Sequence, residues 1–106
     1  MELVQTPEPP YYSVIFSSIK ANDDPAYQEL AIKMDDLVRK QPGFLGMDSA
    51  RDQLGITISY WESLEAIKQW KMNADHMEAQ LKGKSEWYKS FSVRIAKVER
   101  EYSFGK

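Results

Sequence analysis

Cysteine is absent from this chain of 106 residues, histidine occurs once, and glycine only five times. With no cysteine there are no disulfides, no thiolate metal sites and no thiol nucleophile. One imidazole cannot supply paired His ligands. The cluster Asp75, His76 and Glu78, lacking a second imidazole or a thiolate, is a poor metal site. Neither a Gly-rich phosphate loop nor a G-x-S-x-G turn is present. Basic residues are no excess either: 14 Lys and Arg against 16 Asp and Glu leave a net charge of -2. Nucleic-acid binding, which needs a basic stripe, is therefore not expected. No apolar run approaches the roughly 20 residues of a membrane helix. The start, MELVQTPEPP, lacks the basic beginning and apolar core of a signal peptide. A cytoplasmic protein that binds no membrane is the expectation.

What is present is an ordinary globular composition, 42% hydrophobic and 28% charged, in a length that supports one core. Residues 1–10, with Pro7, Pro9 and Pro10, read as an extended arm. It is either a disordered tail or an arm across a neighbouring subunit. Residues 11–106 form the domain. Tyr11 to Ile19 alternates as a strand with apolar residues on both faces: Tyr12, Val14 and Phe16 against Tyr11, Ile15 and Ile19. Asp24 and Pro25 are an N-cap and a first helical residue. Tyr27, Leu30, Ala31, Met34, Leu37 and Val38 then make one apolar stripe. Gln41-Pro42-Gly43 stops that helix.

Phe44 to Arg51 and Gly55 to Glu62 read as a hairpin, the first strand less apolar and so at a sheet edge. Ile56, Ile58 and Tyr60 share one face of the second strand, and Thr57, Ser59 and Trp61 the other. Ser63 caps a second helix whose stripe is Leu64, Ile67, Trp70 and Ala74. On a straight helix His76 faces away from that stripe. Asn73, a good N-cap, therefore suggests a bend or restart that re-aims His76 and Gln80, before Gly83 ends the helix. Ser85 to Ser90 reads as a short turn bearing Trp87 and Tyr88, and Phe91 to Tyr102 as a long last strand.

The order strand, helix, strand, strand, helix, strand predicts an α+β, ferredoxin-like βαββαβ antiparallel sheet with strands one and three central. Two helices cover one face of such a sheet. The other face is then a large apolar patch of the kind monomers avoid. A homodimer packing sheet on sheet, a dimeric α/β barrel, removes it.

Beyond these patterns, the chain resembles the antibiotic biosynthesis monooxygenase family from about Tyr11 to Phe104. The resemblance is carried by QPGFLGMDSARD (Gln41 to Asp52), by ITISYWESLEAIKQWK (Ile56 to Lys71), and by the series His76, Gln80, Gly83, Trp87, Tyr88, Val93, Arg94, Val98, Arg100 and Tyr102. It implies a dimeric α+β barrel. The family includes oxygenases of polycyclic quinols that use neither metal nor flavin, a haem-degrading branch, and members of unassigned activity. The haem-degrading branch uses an Asn on the first strand, absent here, and a haem-binding His where this chain has Gln80. The cofactor-independent branch uses a pocket of Trp, Asn, Tyr, Arg and His, matched in type by Trp70, Asn73, Tyr88, Arg94 and His76.

On that resemblance the expected function is a cofactor-independent monooxygenase acting with dioxygen on a small aromatic, quinol-type molecule. His76 is the expected base, because imidazole accepts protons near neutral pH. Arg94 stabilises the developing oxyanion, and Trp61, Trp70 and Trp87 give flat apolar walls. Asn73, Gln80 and Tyr88 complete the expected contacts. Each residue also has a plainer role. Trp70 on the helical stripe is core, Trp61 and Trp87 are dimer contacts, His76 is a structural hydrogen-bonding residue, and Arg94 is an ion-pair partner. The rival function is a non-catalytic ligand-binding or stress-response dimer of the same fold.

Overall fold

The computed structural model describes residues 2–80 and 87–105, the side chains of residues 78–80 excepted. Its elements run β1 (Tyr11–Lys20), α1 (Pro25–Val38), β2 (Phe44–Arg51), β3 (Gly55–Trp61), α2 (Leu64–Gln80) and β4 (Tyr88–Val98). The four strands form one antiparallel sheet in the order β2-β3-β1-β4. The ferredoxin-like arrangement and the central pair β1 and β3 are as the sequence predicts. Strand β1 carries apolar residues on both faces, and β3 carries Ile56, Ile58 and Tyr60 on one face and ends in Trp61 on the other, which suits burial between neighbours.

Local chemistry sets the helix starts. The Asp24 carboxylate accepts from the Ala26 backbone N–H at 2.9 Å, with Pro25 in the first turn. At α2 the Ser63 hydroxyl accepts from the Ala66 N–H at 3.1 Å. Gly43, at φ +84, turns the chain from α1 into β2 and packs so closely on α2 that a side chain there would collide with Ala66 and crowd Glu62. Its carbonyl accepts from the Glu62 N–H at 2.9 Å, tying the start of β2 to the end of β3.

Register assigns each side chain to a face. Tyr12, Val14, Phe16 and Ser18 of β1 lie opposite Trp61, Ser59, Thr57 and Gly55 of β3. These face the helices together with Phe91, Val93 and Ile95 of β4. Tyr11, Ile15, Ile19, Ile56, Ile58 and Tyr60 occupy the other face. The buried core is concentrated at one end of the helix-covered side, where Val38, Trp61 and Ile67 meet. Trp61 is fully buried, edge-on to Phe44 at 5.3 Å and stacked on Trp70 at 6.3 Å. Its indole N–H donates to the Ser59 hydroxyl at 2.9 Å.

Two expectations are corrected. Helix α2 runs unbroken through Asn73, whose side chain donates to Gln41 at 2.9 Å instead of capping a new helix. Strand β4 begins at Tyr88 and stops at Val98, and Tyr102 beyond it is exposed. The stop coincides with the charged stretch Glu99 to Glu101, which has no apolar face to bury. In the arm, Val4 lies against Gly46 of β2, and Thr6 donates to Glu101, beyond the end of β4, at 2.9 Å. The expected stop at Gly83 lies outside the described residues.

Candidate functional site

At the end of the sheet away from Trp61, the helices do not close on the strands. The reason is in the sequence of β3, whose helix-facing residues are Gly55, Thr57, Ser59 and then Trp61. Three small side chains precede one large one, and Ser49 of β2 lies opposite Thr57. Where Trp61 fills the space, the core is closed. Where only glycine and hydroxyls stand, a cavity of about 560 Å³ remains between sheet and helices. That lies within the roughly 300–1,000 Å³ of small-molecule sites.

Its floor is Val14, Phe16, Ser49, Thr57 and Ser59. Its roof is Leu30, Ala31 and Met34 of α1 with Ile67, Trp70 and Ala74 of α2. Val93 and Ile95, about half exposed, leave the side along β4 open to solvent. Apolar walls with three hydroxyls on the floor suit a flat, mostly hydrophobic molecule with a few polar edges.

One end of the cavity is aromatic. Tyr27 meets Tyr88 edge-on at 5.8 Å, and Phe16 lies 5.4 Å from Tyr88 and 5.7 Å from Phe91. Arg51, the last residue of β2, also lines this end. Its guanidinium crosses over Gly55 and reaches β1, donating to the Ser18 carbonyl at 3.4 Å and to the Ser18 hydroxyl. Its Cζ stands 5.7 Å from the Tyr27 ring centroid.

The expected site residues are dispersed. Trp70 and Tyr88 line the cavity. Trp61 stands behind Trp70 in the core. Trp87 is buried beside Tyr27 at 6.4 Å, and its indole N–H meets no acceptor among the described residues. Asn73 and His76 are exposed on α2, and neither lines the cavity, although their neighbour Asp75 does. Arg94 pairs with Ile15, which puts it on the helix-free face, where it donates to Ser92 at 2.9 Å. The side chain of Gln80 lies outside the described residues. Sequence reasoning missed Arg51 and the hydroxyls of Ser49, Thr57 and Ser59. The signal was the small-small-small-large series on β3, which gives the faces but reads as a cavity only once helix placement is known. Among the described residues no three His, Asp or Glu side chains converge on a metal-sized space, and no helix is long and apolar enough to cross a membrane.

Comparison with known proteins agrees with this architecture. Over 104 residues the chain is 52% identical to the uncharacterized protein YqjZ of Bacillus subtilis strain 168, covering 96% of this chain and 91% of that protein. The fold is that of Rv0793 from Mycobacterium tuberculosis, at a TM-score of 0.72 and 15% identity, over 88% of this chain and 99% of that one. It is equally that of SnoaB, a cofactor-independent oxygenase from Streptomyces nogalater, at a TM-score of 0.70 and 9% identity, over 86% and 95% of the two chains. The profile of antibiotic biosynthesis monooxygenases matches residues 10–82, a span from the first strand through α2 that contains most of the cavity wall. The chain belongs to the antibiotic biosynthesis monooxygenase family.

Proposed function

We propose that the protein is a cytoplasmic monooxygenase that needs no cofactor and oxygenates an electron-rich, quinol-type aromatic in the cavity. One observation carries the reading: an apolar cavity of about 560 Å³, walled by Trp70, Tyr27 and Tyr88 and floored by hydroxyls. The chemistry asks little else of the protein. Loss of a phenolic proton leaves an anion that can give an electron to dioxygen. A carbon–oxygen bond then forms, and the oxygen–oxygen bond breaks. One oxygen atom stays as a ring carbonyl; the other leaves as water with two hydrogens from the substrate, which supplies all four electrons. Ser49, Thr57 and Ser59 orient the polar edge, and the apolar walls hold the rings. His76 is the proposed proton acceptor. From its exposed position after Asp75 it acts through water. The test is oxygen uptake with a naphthalene or anthracene quinol by metal-free, flavin-free protein, with one atom of labelled dioxygen in the product. Uptake no faster than the uncatalysed rate overturns the reading.

A second reading, binding without turnover, is favoured by one observation: the sole imidazole does not line the cavity. Tight binding of the aromatic without oxygen uptake selects it. In both readings we propose that the working form is a homodimer. The helix-free face exposes Ile19 and Ile56, and a second copy covers them.

A further inference from the structure

Among the described residues, one charge at the cavity has no carboxylate partner. Two carboxylates reach its wall, Asp35 and Asp75. Each is held by a cation on its own helix, four residues away: Arg39 at 3.0 Å and Lys71 at 2.9 Å. Arg51, the cation at the aromatic end, is in none of the ion pairs among the described residues. Its partners are the neutral Ser18 and the face of Tyr27. A second cation, Lys20, lies 4.7 Å from the same ring, and its ion pair among the described residues is with the fully exposed Asp23 at 3.7 Å.

This placement is built by the sequence. Arg51 pairs with Gly55 across the hairpin, and the guanidinium lies where a side chain at 55 would have to go. Glycine therefore lets the arginine fold inward over β3. The Ser18 contacts use two of its five N–H donors, one on each terminal nitrogen. The other three donors meet no acceptor among the described residues. A cation on an apolar wall, with no carboxylate paired to it among the described residues, favours an anion over a neutral molecule of the same shape.

We infer that the ligand of this cavity is an anionic aromatic, its ring against Phe16, Tyr27 and Tyr88 and its charged oxygen on Arg51. The inference rests on the reading of the cavity as the ligand site, and it holds with or without turnover. The charged oxygen is a carboxylate or an ionised phenol. In the second case Arg51 also favours loss of the phenolic proton, the step that oxygenation requires.

Calorimetry with oxygen excluded separates these from turnover. The probes are 2-naphthoate, 4-nitro-1-naphthol held ionised at pH 8, and the neutral 2-naphthylmethanol. Wild-type protein is expected to bind at least one anion about 10- to 100-fold more tightly than the neutral probe, the range of a charge-assisted hydrogen bond. The anion preferred names the source, carboxylate or phenolate. Arg51→Met should abolish the preference while leaving the neutral probe's affinity within about threefold, and Arg51→Lys should restore part of it. Gly55→Ala, which keeps the charge but displaces the guanidinium, should also abolish the preference, and it serves if Arg51→Met fails to fold. Equal affinity for charged and neutral probes, or a preference that survives in every folded variant, overturns the inference. Anion binding without oxygen uptake leaves it intact and removes the oxygenase reading alone.

Discussion

Replacing the two stacked tryptophans one at a time should separate core from cavity wall. Trp61 is fully buried, touches Phe44 and Trp70, and donates its N–H to Ser59. Truncating a buried aromatic costs about 3–5 kcal/mol, and the lost hydrogen bond adds about 1 kcal/mol. Trp61→Ala should therefore remove about 4–6 kcal/mol, close to the entire stability of a marginal domain at about 5–15 kcal/mol. Trp70 is only half-buried, and the cavity already lies on its other side. Its truncation widens an existing space, so Trp70→Ala should cost about 1–2 kcal/mol. Urea unfolding at one fixed protein concentration reads both, since association makes midpoints concentration-dependent. With a slope of about 2 kcal/mol per molar, the midpoint should fall by about 2–3 M for Trp61→Ala and by less than about 1 M for Trp70→Ala. Titration of a naphthalene probe should show the reverse weighting among folded proteins, with Trp70→Ala losing most of its affinity. Equal destabilisation by the two variants, or unchanged binding in Trp70→Ala, would refute the division.

Sedimentation at micromolar concentration should find a dimer that dissociates only with loss of structure; a stable folded monomer would leave Ile19 and Ile56 uncovered and contradict the proposed assembly. His76→Ala should unfold with wild-type protein, because the side chain is exposed, while slowing oxygen uptake about 100- to 10,000-fold if it is the base; an unchanged rate removes that role. Tyr11 and Tyr60 have raised pKa values, first from burial and then from Glu101 and Asp48 respectively. The unfolded chain therefore ionises first, near pH 10. Their contribution is whole below about pH 10 and is lost as pH rises through the folded values. The Tyr11→Phe, Tyr60→Phe double variant should thus show a shallower alkaline fall in stability than wild type, and parallel curves would refute this.

Much of the fold was legible because local and global signals agree. Asp24-Pro25 and Ser63 cap the helices they promise, and the alternation in β1 and β3 marks the central strands. Where local chemistry was ambiguous, packing decided. Asn73 is a fair N-cap by residue type, but its hydrogen bond to Gln41 leaves α2 continuous. The site was less legible for the same reason. Trp70 and Tyr88 could be found as aromatics near helix and strand ends. Arg51 could not, because its inward path depends on Gly55 across the hairpin and on Ser18 of a strand far away in sequence. A cavity is an absence of side chains, and Thr57 and Ser59 reveal it only once the helices above them are placed.

The central claim is that the space between sheet and helices holds the substrate. Ala31 of α1 lines that space and is not part of the buried core, so Ala31→Trp adds an indole to the cavity wall without displacing a core residue. The measurement is oxygen uptake with the quinol, wild type against Ala31→Trp, at matched thermal stability. The account predicts near-complete loss of uptake in the variant with an unchanged melting midpoint. Uptake at the wild-type rate in the filled, folded protein would place the reaction elsewhere and contradict it.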